Sequence, residues 1–277
     1  MAETKQWTDI PKVLTVAGSD SSGGAGVQAD LKTFLAHGVY GMSVITALTA
    51  QNTTGVLAIQ EATPDFLRAQ FEAVFSDIRP DAVKVGMVSS PALIRVIAEE
   101  LTRYAARHIV VDPVMVATSG ARLLSPDAEQ VLMQALLPLA EVITPNIAEL
   151  EVLTGQTVDS RAKMESAARD LQARLQVNVL AKGGHFGADA DDLLVTIEGA
   201  QWFHSPRLSN PDTHGTGCTL SSAIAAELAQ GLSLAVAVEQ AKAYLTGALA
   251  AGLHLGHGAG PLNHAYALQG KFFKRID

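Results

Sequence analysis

The sequence predicts an α/β protein: a three-layer αβα sandwich on a mostly parallel central sheet, with an antiparallel hairpin at one edge. Short runs rich in Val, Ile and Leu alternate with longer amphipathic stretches, which is how buried parallel strands joined by crossover helices read. After residue 181 that pattern gives way to two short strands joined by a Glu-Gly turn, and then to two long helices. No Pro- or Ser-rich linker, low-complexity tract or internal repeat divides the chain, so residues 1–277 are expected to form one domain, with 1–12 as a flexible N-terminal segment.

In order, strands are expected near 13–17 (VLTVA), 40–48, 82–86 (AVKVG), 108–112 (HIVVD), 140–143 (AEVI) and 177–181 (VNVLA). Helices are expected between them, near 25–37, 64–77, 90–104, 125–135, 146–153 and 160–174. The hairpin falls in "DDLLVTIEG" and "QWFHSP", and the closing helices near 217–230 and 233–252. Residues 49–62 read as a loop.

A net charge of −8 with no block of Lys and Arg argues against a nucleic-acid partner or an anionic membrane surface. The most apolar late segment is interrupted by Glu239 and Lys242, which disfavours a membrane span. One cysteine cannot close an internal disulfide, and the first residues lack the apolar core of a signal peptide, so a cytoplasmic location is expected.

Two glycine-rich turns stand out. In "GSDSSGGAGVQADLKTF", Gly24, Gly26 and Ala29 match the G-x-G-x-x-A spacing of a dinucleotide fold, but the acid expected about twenty residues later is missing from "VITALTAQN". A P-loop fails as well, because no G-K-[ST] follows Gly23. What is left is a strand-to-helix turn or a small-molecule site, and the polar residues Ser19, Asp20 and Asp30 favour the site.

In "DTHGTGCTLSSAIAAELAQG", Leu220, Ala223, Ile224 and Leu228 form a helical stripe ending at Gly231, so the residues before Leu220 are a helix start. Gly215 and Gly217 let several backbone amides point one way, and with the helix dipole they form an anion site. Cys218 could be a small buried hydrophobe, but a thiol in the first helical turn is expected to ionise more readily than a free one.

Three further groups are expected at strand ends. Asp112 closes "HIVVD", Lys182 closes "VNVLAK", and in "ITPNIAELEVLTG" Thr144 can cap a helix whose first position is Pro145. Asn146 and Glu149 lie three apart on one face of that helix, a pairing suited to hydrated Mg²⁺ or simply to a solvated helix start. A strand-end acid, N-x-x-E, a strand-end lysine and an anion cradle on one sheet edge describe a phosphoryl-transfer site.

With these motifs in place, the chain resembles the ribokinase-like superfamily, and within it the hydroxymethylpyrimidine/phosphomethylpyrimidine kinases of thiamin biosynthesis. The resemblance runs from Val13 to about His264 through "AGSDSSGGAGVQADLKT", "GMSVITALTAQNTTGV", "VKVGMV", "DPVM", "ITPNIAELEVLTG", "KGGH", "HGTGCTLSSAIAA" and "GAGPLNH". It implies an ATP-dependent kinase that uses Mg²⁺, phosphorylates the pyrimidine alcohol and then its monophosphate, and forms a homodimer.

The resemblance also implies roles for particular residues. Gly18, Ala25, Gln51, Met87 and Val114 would surround the pyrimidine, with Asp30 on the same side, and the Gln51 amide can both donate to and accept from an aminopyrimidine edge. Thr49 stands where a more apolar pocket residue is expected. Asn146 and Lys182 would serve the nucleotide phosphates together with Thr216 and His214, the histidine more as structure than as catalyst. Glu149 and Asp112 would serve the metal.

Gly215, Thr216, Gly217 and Cys218 would form the anion hole, with Cys218 as base where the superfamily's sugar kinases carry Asp. His254, His257 and His264 lack zinc spacing and read as loop residues. The runner-up within the enzymes is a pyridoxal/pyridoxine kinase. A non-catalytic ligand-binding protein and a Rossmann oxidoreductase rank lower.

Overall fold

A computed structural model describes residues 9–115, 124–183 and 189–269. Part of the expected N-terminal segment, and Gly184 and His185 of the K-G-G-H motif, lie outside the described residues. The chain runs β1 (Lys12–Asp20), α1 (Gly26–Ala36), β2 (Tyr40–Asn52), β3 (Gly55–Glu61), α2 (Pro64–Phe75), β4 (Ala82–Val85), α3 (Pro91–Arg103) and β5 (Ile109–Val111). It continues through α4 (Pro126–Val131), β6 (Val142–Ile143), α5 (Ile147–Thr154), α6 (Arg161–Leu175), β7 (Asn178–Lys182), β8 (Asp192–Thr196), β9 (Gly199–Phe203), α7 (Thr216–Ala229) and α8 (Leu234–Ala250).

The strands form one sheet in the order β3-β2-β1-β4-β5-β6-β7-β8-β9. The segment from β2 to β7 is parallel, and β3, β8 and β9 pair antiparallel at the two edges. Strand side chains alternate between two apolar layers. Leu14, Val16, Val83, Val85, Val111 and Ile143 pack with α2 to α6, whereas Val13, Ala82, Val110, Val142 and Leu180 pack with α1, α7 and α8. This is the expected sandwich, and it sets the carboxyl ends of the parallel strands along one edge, where such sheets bind ligands.

Two details depart from the sequence reading. Residues 49–62 are not a loop: β2 continues to Asn52, turns through Thr53 and Thr54, and returns as β3. Asn52 Oδ1 accepts from the Thr54 amide at 2.9 Å and its hydroxyl at 2.7 Å, an Asx turn that a "NTTG" between apolar runs could have signalled. The helix expected over 125–135 leaves α geometry at Leu132, widens into a π turn over Leu132–Leu136 and ends in a 3₁₀ turn over Leu137–Leu139. Pro138 accounts for this, since it has no amide proton and its ring crowds the preceding turn.

Candidate active site

The site is built where the strand ends meet the starts of α1, α5 and α7. Asp20 ends β1 and is buried. It accepts from the Ser22 amide (2.9 Å) and hydroxyl (2.8 Å), the Gly24 amide (3.1 Å), the Ala25 amide (2.8 Å) and His214 Nε2 (2.8 Å). Burial alone would raise its carboxyl, but the hydrogen bonds from His214, Ser22 and Ala25 outweigh it and hold the group well below the usual carboxylate range. Asp20 therefore shapes the first glycine turn.

The two glycine turns interlock. A Cβ on Gly215, whose φ is +87°, would run into the Gly24 carbonyl, and one on Gly26, at φ +57°, into the Gly18 carbonyl. Only glycine allows both this backbone conformation and this approach. Neither α1 nor α7 has a side-chain N-cap, so their first-turn amides are left for other acceptors. The Gly26 amide is near enough to Cys218 to favour the ionised form of its thiol.

On the other side, Lys182 Nζ donates to Asp112 Oδ1 at 2.8 Å and Thr144 Oγ1 donates to the same oxygen at 3.0 Å. Gly217 lies over this pair: a Cβ there would stand 3.1 Å from Asp112 Oδ2 and 3.5 Å from Lys182 Nζ. The helix expected to be capped by Thr144 and to start at Pro145 starts instead at Ile147. Asn146 caps it, accepting from the Glu149 amide at 2.9 Å while its own amide donates to Glu149 Oε2 at 2.8 Å. Thr144 is thereby free to bind Asp112.

Glu149 is buried beside this pair. Burial first, and then the Asp112 charge, push its carboxyl up to about 7, against the opposing pull of Lys182 and the Asn146 amide. Two buried carboxylates with a lysine beneath an amide-rich helix start fit hydrated Mg²⁺, which takes one or two carboxylates and completes its shell with water and phosphate oxygens. Among the described residues, no three His, Cys, Asp or Glu gather as a larger metal site would require.

Of the residues expected around the pyrimidine, Gly18 touches Met87, where a Cβ would meet its methyl carbon at 3.1 Å. Gln51 lies one residue before the end of β2 with its amide 3.3 Å from His214 Nε2, and its backbone exchanges hydrogen bonds with Ser21. Ala25 stands at the N-cap of α1, and Val114, half-buried, follows Asp112. Thr49, the polar departure, is tied off by donating to the Ser19 carbonyl at 2.9 Å.

Three expectations are corrected. Asp30 does not face a ligand: it is fully buried, and its oxygens accept from Lys84, Thr15 and Ser222. His214, assigned to the nucleotide phosphates, has its Nε2 taken up by Asp20 and its ring packed on Gly24, the structural place favoured for it over a catalytic one. Cys218, expected to ionise readily, has its thiol pushed up instead, because burial outweighs Lys84 and the Gly26 amide. The missed residues are Asp20 as a turn organiser and Lys84. A lysine inside the apolar strand "AVKV" signals a buried charge that needs a partner.

Comparison with known proteins agrees with this geometry. The family model described as phosphomethylpyrimidine kinase matches residues 20–263. A hydroxymethylpyrimidine/phosphomethylpyrimidine kinase of Streptomyces coelicolor is 50% identical over 258 residues, covering 93% of this chain and 96% of that protein. A thiamine biosynthesis bifunctional protein of Geobacter sulfurreducens is 52% identical over 259 residues, 93% of this chain, but there the match spans 53%, about half, of the relative's length. The crystal structure of an ADP complex of Bacillus subtilis pyridoxal kinase superposes with a TM-score of 0.87 at 37% identity, covering 93% of this chain and 98% of that one. The ribokinase-like sandwich, the interlocked glycine turns and these matches agree: the chain belongs to the phosphomethylpyrimidine kinase family.

Proposed function

We propose that this protein is a cytoplasmic, ATP- and Mg²⁺-dependent kinase. It phosphorylates 4-amino-5-hydroxymethyl-2-methylpyrimidine and then its monophosphate, in thiamin biosynthesis. The observation that carries this reading is the Asp112–Lys182 pair lying under Gly217 at the uncapped start of α7, opposite the first glycine turn. A nucleotide placed on α7 meets backbone amides and the Lys182 ammonium, which neutralise phosphate charge. Asp112 and Glu149 would hold Mg²⁺, whose chemistry there is to neutralise charge on the phosphate oxygens.

The pyrimidine sits over Gly18 and Met87, with the Gln51 amide at its polar edge. Its hydroxymethyl oxygen attacks the γ-phosphorus, the bond from that phosphorus to the ADP oxygen breaks, and the alcohol proton passes to Cys218, which accepts it in the minor, thiolate form of its buried thiol. The α7 amides hold the transferring group. In the second transfer the acceptor is a phosphate monoester, already ionised near neutral pH, so little base is needed.

Leu48, Val56, Leu57 and Ile59 on the β2–β3 hairpin are exposed, with Leu57 at 81%, and a second copy of the chain is the partner proposed for them. The test of the function is ATP consumption with the hydroxymethylpyrimidine, following products by mass. Sequential mono- and diphosphate are expected, and the absence of either product would refute the double activity. The likeness to a pyridoxal kinase makes pyridoxal the competing alcohol. A higher kcat/KM for pyridoxal than for the pyrimidine would reverse the assignment.

A further inference from the structure

Beneath the site lies an ion pair that the mechanism above does not use. Lys84 in β4 and Asp30 in α1 are both fully buried, and Lys84 Nζ lies 2.9 Å from each Asp30 oxygen. Thr15 of β1 donates to Asp30 Oδ2 at 2.6 Å and Ser222 of α7 to Oδ1 at 2.7 Å. Four elements thus meet at one carboxylate. Well-packed apolar residues would serve stability as well as a buried ion pair does, so what the pair supplies is a defined geometry and a local charge.

Both helices use the same spacing at this point. Asp30 lies one turn after Gly26 on α1, and Ser222 lies one turn after Cys218 on α7. The helices face each other at two levels and are joined by a hydrogen bond at the lower one. At the upper level the Gly26 amide favours the Cys218 thiolate, and in the lower rung the Ser222 hydroxyl donates to Asp30. Lys84 reaches up from the sheet to neutralise the lower rung.

The charges facing Cys218 come from three elements. Lys84 of β4 favours its ionised form, while Asp30 of α1 and Asp112 after β5 oppose it. Lys182 faces the neighbouring Gly217.

We propose that Lys84, locked by Asp30, is a positioning residue for transfer to the alcohol: through the Asp30–Ser222 contact it sets the spacing of the α1 and α7 starts and so the place of Cys218. This rests on the kinase reading above, in which Cys218 takes the alcohol proton.

The test is the double variant Lys84→Met with Asp30→Asn, which removes both charges at similar volume. Because the chain has one cysteine, alkylation by iodoacetamide reads Cys218 alone, without any substrate. The variant should be alkylated at least about twofold more slowly at a given pH, because the pull of Lys84 on the thiol exceeds the opposing push of Asp30 and both are removed. Its kcat on the alcohol should fall at least about tenfold further than its kcat on the monophosphate. A folded variant with the wild-type alkylation profile and an unchanged ratio of the two kcat values would overturn the proposal.

Should the double variant not fold, Ser222→Ala removes only the lower rung. It should lower the alcohol-to-phosphate ratio by about threefold or more, and an unchanged ratio overturns the proposal equally. Wild-type protein that never phosphorylates the pyrimidine refutes the kinase reading instead, while the alkylation profiles still decide whether Lys84 acts on the thiol.

Discussion

Lys182 meets Asp112 at 2.8 Å immediately below Gly217, whose missing side chain leaves the pair open toward the start of α7. In Gly217→Ala the new methyl would stand 3.1 Å from Asp112 Oδ2, tight but without backbone strain. The fold should survive, with Tm changed by only a few degrees. The kcat/KM for ATP should drop about a hundredfold, because a displacement of about 1 Å at the phosphate is enough for that. Steady-state kinetics at saturating pyrimidine would check it.

Gly215→Ala should fail differently. Its φ of +87° penalises any side chain, and its Cβ would collide with the Gly24 carbonyl. Destabilisation of at least about 2 kcal/mol is expected from backbone strain and overpacking together. The urea midpoint would show it. Activity should be lost on both acceptors, since both glycine turns move.

Glu149 links stability to pH. Its folded pKa, about 7, lies above the ordinary 4.5, so the folded protein binds the extra proton. The stability this contributes is complete below pH 4.5 and is lost as pH rises through about 7. Glu149→Gln keeps the cap to the Asn146 amide but cannot ionise. The ligand-free variant should gain up to about 3 kcal/mol over wild type at pH 8 and nothing at pH 4. Denaturant titrations at the two pH values test this, and Mg²⁺-dependent turnover should be lost.

Cys218→Ala separates the two transfers. Phosphorylation of the alcohol should fall by about 10²–10⁴-fold, the usual contribution of a general base. Transfer to the monophosphate should fall far less, because that acceptor's second pKa is about 6. Separate kcat values on each acceptor provide the check, and equal losses would remove the base assignment.

Leu57→Glu places a charge on the most exposed leucine of the β2–β3 hairpin. If that face meets a second copy, the variant should sediment as a monomer at concentrations where wild type is a dimer. A wild-type monomer would refute the dimer.

Motif spacing made much of this site legible. Asn146 and Glu149, Gly215 and Gly217, Asp112 and Lys182 each sit where period and strand ends place them, so the sequence named them before any contact was visible. The β3 strand was missed because an edge strand exposed along its whole length shows no alternation between buried and exposed faces. Asp30 was misread for a related reason. An acid beside a glycine turn looks like a ligand contact, until a lysine 54 positions away is seen to satisfy it.

The sequence by itself determined the layer architecture, the edge where the chemistry lies and the residue types gathered there, because strand and helix periods and glycine spacing are local properties. Only the tertiary structure decided which charges pair, since Lys84 with Asp30 and His214 with Asp20 are contacts across the chain. It also decided the state of Cys218: the helix start and the nearby lysine pull its thiol one way, and burial, which no local pattern encodes, pulls it further the other.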